Sequence, residues 1–172
     1  DAVGKVQAGG RIVFAAGDYD EGMLVSKPIS LVGRCSSMVT ISGVREGPLG
    51  PTVLEVKGDV EVSISDLRVS GHGIGILAHA ASQLSVSRAI LTDTQAGGIL
   101  AFESGTSVTV NEVWVSGTQL DAQGSYGYGI EAGAGANVSV MRSRISENHS
   151  SGVGAFESGT SVTVNEVWVS GT

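Results

Sequence analysis

The chain has 172 residues, 41% of them hydrophobic and 16% charged, with a mean hydropathy of +0.22, which excludes a disordered segment and fits one compact domain. A formal net charge of −7, with 10 Lys and Arg scattered along the chain, argues against a nucleic-acid partner or an anionic membrane surface. No run approaches the roughly 18 apolar residues of a membrane span, and Cys35, the one cysteine, supplies neither a disulfide framework nor a Cys-based zinc site.

Against 3 prolines stand 26 glycines, among abundant Val, Ser and Thr, a composition that predicts short strands and tight turns. From Gly10 to Gly43 the apolar positions alternate as Ile12 and Phe14, Met23 and Val25, Ile29 and Leu31, Val39 and Ile41. Turns at Gly17-Asp18, Lys27-Pro28 and Gly33-Arg34 separate these pairs. The string Gly17-Asp-Tyr19-Asp-Glu21 followed by Lys27-Pro-Ile-Ser-Leu-Val-Gly33 resembles the opening coil of right-handed parallel β-helix proteins of the pectin-lyase-like superfamily. That resemblance implies an all-β solenoid, in a superfamily that contains both enzymes and non-enzymes.

Residues Ala101 to Thr118 recur unchanged as Ala155 to Thr172, and a weaker copy lies between them. The underlying period is about 23 residues, the length of a three-strand coil whose apolar side is buried by the coils above and below. We expect six to seven such coils in one domain over 1–172: irregular coils over 1–51, then regular coils over 52–172 anchored at Val53, Ile76, Ile99, Ile130 and Val153. Strand alternation points Val62/Ile64, Leu84/Val86, Val108/Val110, Val138/Val140 and Val162/Val164 inward, with Val69, Leu91, Val115, Ile145 and Val169 after them. Ala78, Ala101, Ala132 and Ala155 form a small-residue stack.

Two outward columns follow from the same superposition. One reads Asp66, Arg88, Glu112, Arg142, Glu166, alternating in sign; the next reads Arg68, Ile90, Trp114, Arg144, Trp168, with Arg144 between two indoles. Extra residues enter at 44–51 and 119–127, at one corner of the coil. Seven residues gather there: His72, Asp93, Asp121, Tyr126, Tyr128, Glu147 and His149. Their mixture of imidazoles, carboxylates and phenols makes this corner the place for a ligand.

Function is less legible. Gly71-His72-Gly73 resembles the GHG segment of polygalacturonases, but the aspartates and the later Arg-Ile-Lys segment that accompany it there are absent, and the paired aspartates and arginine of pectin methylesterases have no counterparts here. Glu103 and Glu157 occupy equivalent turns of the identical copies, and a duplicated residue is a poor catalytic candidate. The reading is therefore a non-catalytic structural or glycan-binding segment, secreted or at a cell surface, with Trp114, Arg144 and Trp168 as candidate ligand-binding residues. No catalytic residue, metal or cofactor is assigned. Polysaccharide is the expected partner, with end-to-end contact through an uncapped last coil at Thr172. The alternative is a lyase, glycoside hydrolase or esterase acting on acidic polysaccharide. The abrupt start at Asp1 and the open end at Thr172 read as an excerpt of a longer chain.

Overall fold

The computed structural model describes residues 2–171; the edge expected at Thr172 lies outside them. After one helical turn over Ala2–Lys5, whose Val3 packs into the core, the chain winds repeatedly through three parallel sheets. Sheet 1 stacks Arg11–Phe14, Ile29–Gly33, Glu61–Ser65, Gln83–Ser87, Ser107–Asn111, Asn137–Met141 and Ser161–Asn165. Sheet 2 stacks Gly17–Tyr19, Val39–Ile41, Arg68–Ser70, Ile90–Thr92, Trp114–Ser116, Arg144–Ser146 and Trp168–Ser170. Sheet 3 stacks Met23–Val25, Gly50–Lys57, Ile74–His79, Gly97–Phe102, Tyr128–Gly133 and Ser151–Ala155. This is a parallel β-helix, right-handed as parallel crossovers are.

Alternation decides what fills it. Val62, Leu84, Val108, Val138 and Val162 align in register across sheet 1, and Val69, Leu91, Val115, Ile145 and Val169 across sheet 2. These columns close one continuous core from Val3 to Ile145. The alanine stack of Ala78, Ala101, Ala132 and Ala155 also forms in register. The anchor at Val53 is displaced by one residue, because Leu54 is the partner of Ile76. Val53 and Leu54 are both fully buried, so this strand lacks the alternation that would have fixed its phase.

The alternating charges do form a column, but on a corner and not on a strand face. Asp66, Arg88, Glu112, Arg142 and Glu166 all have left-handed backbones, with φ between 44° and 60°. Each follows a sheet 1 strand and reverses the chain toward sheet 2. The backbone N–H groups of Asp66, Arg88, Glu112 and Arg142 donate to carbonyls of the next coil, at 3.0–3.2 Å, which keeps the corners stacked.

The segment expected to loop out at 44–51 contains Arg45–Gly47, a strand paired antiparallel to the start of Gly50–Lys57. It folds as a hairpin between sheets 2 and 3, on the same side as the 119–127 loop.

Candidate functional site

The seven corner residues do not converge. Asp93 and Glu147 hold equivalent left-handed positions, with φ of 55° and 58°, but Gly117 occupies the coil between them, so about 10 Å of stacking separates the two. Asp121 is committed to its own loop, its Oδ1 accepting from the backbone N–H groups of Gln123 at 3.0 Å and Ser125 at 2.7 Å. His72 and His149 are exposed, and the His149 N–H donates to the Thr118 carbonyl at 3.0 Å. Among the described residues no three His, Cys, Asp or Glu side chains gather as a metal set would. Beneath the corner, and missed by the sequence reading, runs a buried polar ladder. Thr94 and Thr118 share a hydroxyl contact at 3.3 Å, and the Thr118 N–H donates to Asn148 Oδ1 at 3.2 Å. Only the tyrosines of the cluster meet, Tyr126 edge-on to Tyr128 at 6.4 Å and Tyr128 edge-on to Phe156 at 5.3 Å.

On sheet 2 the Arg144 guanidinium carbon lies 5.5 Å from the Trp114 ring and 5.8 Å from the Trp168 ring. Cation–π attraction of about 0.5–2 kcal/mol holds the sandwich, and Trp114 Nε1 donates to Ser146 Oγ at 3.3 Å. One face of each indole is therefore occupied by a neighbouring side chain.

On the corner, the ladder resolves into pairs. Arg88 donates twice to Asp66, at 2.7 Å each, while Arg142 sits 3.5 Å from Glu112 and donates to Asn111 Oδ1 at 2.6 Å. The hydrogen bonds from Arg88 hold the Asp66 carboxyl below its ordinary value. A depressed carboxylate stabilises the fold above its unfolded pKa and loses that contribution as pH falls through the folded value. Asp66→Asn is thus expected to cost about 0.2–1 kcal/mol near pH 7. Urea unfolding at pH 2–3 should show no loss, because asparagine tolerates the left-handed backbone at least as well.

The outward face of sheet 3 is unlike the other two. Register aligns Leu24, Glu55, Leu77, Leu100, Glu131 and Gly154 in one outward column. Leu77 and Leu100 join Ile74 in a small apolar cluster outside the main core, with Ala96 and Phe102 against it. Burying each leucine contributes about 1.5–3 kcal/mol. Phe102 lies over Gly133 and Phe156 over Gly154, so closely that a Cβ at either glycine would stand 2.6 Å from a ring carbon. A cavity of about 240 Å³ opens beside them, lined by Pro48, Leu49, Leu77, His79, Phe102, Glu103 and Ala134.

Two carboxylates interrupt this column, and they are treated oppositely. Glu55 is 2% exposed and has a partner at each oxygen, the Arg45 guanidinium from the hairpin at Oε2 and His79 Nε2 at 2.9 Å from Oε1; burial lowers the His79 pKa, so the imidazole pairs as a neutral hydrogen-bond partner. Glu131 is 5% exposed, and its Oε2 has no hydrogen-bond partner. Burial first, and the charge of Glu157 second, push the Glu131 carboxyl up to about 7. Sequence reasoning missed both residues. Anchoring at Val53 aligned Glu55 with the alanines, and Glu131 was passed over in favour of the corner next to it.

The sequence model of the family described as a right-handed beta helix region matches residues 34–171. No curated protein matches the chain. Among solved structures, a pectin methylesterase in complex with a hexasaccharide superposes with a TM-score of 0.48 at 11% identity, over 92% of this chain and 61% of that one. An alginate lyase from Paenibacillus sp. str. FPU-7 superposes with a TM-score of 0.35 at 12% identity, over 99% of this chain and 94% of that one. This chain therefore spans about three fifths of the methylesterase's length.

Proposed function

The chain belongs to the right-handed β-helix family, and on that premise we propose a non-catalytic extracellular or cell-surface segment that binds polysaccharide along the outward face of sheet 3. The observation that carries this reading is the aromatic surface of Phe102, Tyr128 and Phe156, set on the buried Leu77 and Leu100, which runs along the stacking axis where a solvated strand face would be polar. Coils recur about every 4.8 Å, so the surface offers evenly spaced contacts to a linear polymer. Rings of this kind supply large contact area with little entropy loss, since each has two side-chain torsions. Glu55 and Glu131 are three coils apart, about 14 Å, beyond the roughly 5–10 Å at which paired carboxylates cleave a glycosidic bond, so these two do not form such a pair.

A second contact on sheet 2, through Trp114, Arg144 and Trp168, is favoured by the 42% exposure of Trp114, which has a coil on either side. The two surfaces separate in a binding assay on immobilised neutral and acidic polysaccharides. Phe102→Ala should weaken binding at least tenfold, and Trp168→Ala less than threefold. The reverse ranking moves the site to sheet 2, and no binding by the unmutated protein disposes of both. The enzymatic alternative draws on Glu131, since a carboxyl that keeps its proton near neutral pH suits a general acid. Release of reducing ends or unsaturated products from any of these polysaccharides would establish that alternative.

A further inference from the structure

Glu55 and Glu131 share one outward column and a like degree of burial, yet among the described residues the fold supplies a guanidinium and an imidazole to the first, while Oε2 of the second has no hydrogen-bond partner. Arg45 and His79 take both oxygens of Glu55. Around Glu131 the column neighbours are Leu100 and Gly154, Tyr128 and Gly133 lie on its own strand, and the rings of Phe102 and Phe156 close over the two glycines. The charged neighbour that acts on it is Glu157, of like sign.

A buried carboxylate among aromatic rings, without a counter-charge, is complementary to one chemical class. The negative faces of the rings and the carboxylate attract a cation, while burial makes a lone anion costly. A metal ion is a poor fit, because hard cations take several oxygen ligands. An ammonium group on a carbon skeleton satisfies both halves, its N–H groups donating to the free oxygen and its carbon atoms packing on the rings.

We propose that Glu131, with Phe102, Tyr128 and Phe156, forms a subsite for an organic ammonium group, the protonated amine of an amino-sugar unit in a bound polysaccharide. The amino-sugar identity rests on the polysaccharide reading of sheet 3; the ammonium site does not. Phe156 stands edge-on to Tyr128 at 5.3 Å and over Gly154, the register partner of Glu131, as the outer wall of the subsite. The raised pKa of Glu131 adds a signature. A bound cation favours the carboxylate, so binding of a permanently charged ammonium at pH 7 releases protons.

The experiment is titration calorimetry at pH 7, in buffers of different ionisation enthalpy, with a β-1,4-linked glucosamine hexamer, its fully N-acetylated counterpart and tetramethylammonium chloride. The expected result is at least tenfold tighter binding of the glucosamine hexamer than of the acetylated one, and proton release on binding tetramethylammonium, whose charge is permanent. Glu131→Gln, which preserves shape, should abolish the hexamer preference and the proton release with tetramethylammonium while leaving the acetylated hexamer's affinity within twofold. Phe156→Leu should weaken tetramethylammonium binding without unfolding the chain. Equal affinity for the two hexamers, or a preference unchanged in Glu131→Gln, overturns the proposal and leaves the polysaccharide reading standing. Binding of tetramethylammonium in a Glu131-dependent manner, with neither hexamer bound, overturns the amino-sugar identity and keeps the ammonium site. No binding of any of the three overturns the ammonium site, while the polysaccharide reading stands or falls on the immobilised-polysaccharide assay.

Discussion

Between pH 4 and pH 8 the thermal midpoint of the unmutated protein falls relative to that of Glu131→Gln by roughly 6–12 °C. The sign follows from the proton balance. The Glu131 carboxyl titrates at about 7 in the folded chain and near 4.3 when unfolded. Below both values each state holds the proton, and the group makes no difference to stability. Between them the unfolded state has lost its proton while the folded state keeps it, so stability falls as pH rises. Above about 7 the loss is complete, and a difference of this size corresponds to about 3.5 kcal/mol. Glutamine does not titrate and lacks this dependence, although its buried amide carries a pH-independent cost of about 1–3 kcal/mol. The test is therefore the difference between the two melting profiles across pH, not either midpoint alone. Parallel profiles would falsify the placement of Glu131 as a buried, unpaired acid.

The second large effect concerns the partnered carboxylate. Arg45→Ala is expected to destabilise the fold by about 1.5–3 kcal/mol at pH 7, because it takes from a carboxylate of 2% exposure its guanidinium partner and leaves it the neutral His79 imidazole. Removing the carboxylate as well should reverse the loss. The column of Glu55 reads leucine at Leu24, Leu77 and Leu100. An Arg45→Leu/Glu55→Leu double variant should therefore approach wild-type stability, as buried ion pairs replaced by apolar groups commonly do. Guanidinium unfolding of the single and double variants decides the matter. If the double variant is as unstable as Arg45→Ala, the loss comes from the hairpin contact and not from an uncompensated charge.

Both effects arise on residues that sequence reading did not select, for a traceable reason. The solenoid was legible because inward columns such as Leu84/Val86 and Val108/Val110 repeat their phase in coil after coil. The charge corner was legible as a column, because stacking conserves order, but its position was not. A left-handed residue between two strands and an outward strand residue leave the same mark in a sequence. The outward face of sheet 3 was invisible for a different reason. Gly50–Lys57 and Ile74–His79 are apolar on both faces, so alternation gave no phase there and Glu55 was aligned one residue out. Arg45 lies in an inserted segment and reaches Glu55 only because that segment folds back as a hairpin.

The duplicated eighteen residues separate the two sources of information. Their sequence alone determined that Ala101–Thr118 and Ala155–Thr172 are coils of one solenoid, since identical strands carry identical alternation and stack at a fixed period. Only the tertiary structure decided what each copy does. Phe102 lies over Gly133 of the coil that follows it, while Phe156 folds over Gly154 of its own coil and meets Tyr128. Glu103 accepts a hydrogen bond from the Ala80 N–H at 3.0 Å, while Glu157 raises the pKa of Glu131. Alternation is a property of a strand, and burial and charge are properties of its neighbours. The neighbours, arriving from coils that do not repeat, make one copy a support for the apolar cluster and the other a wall of the Glu131 pocket.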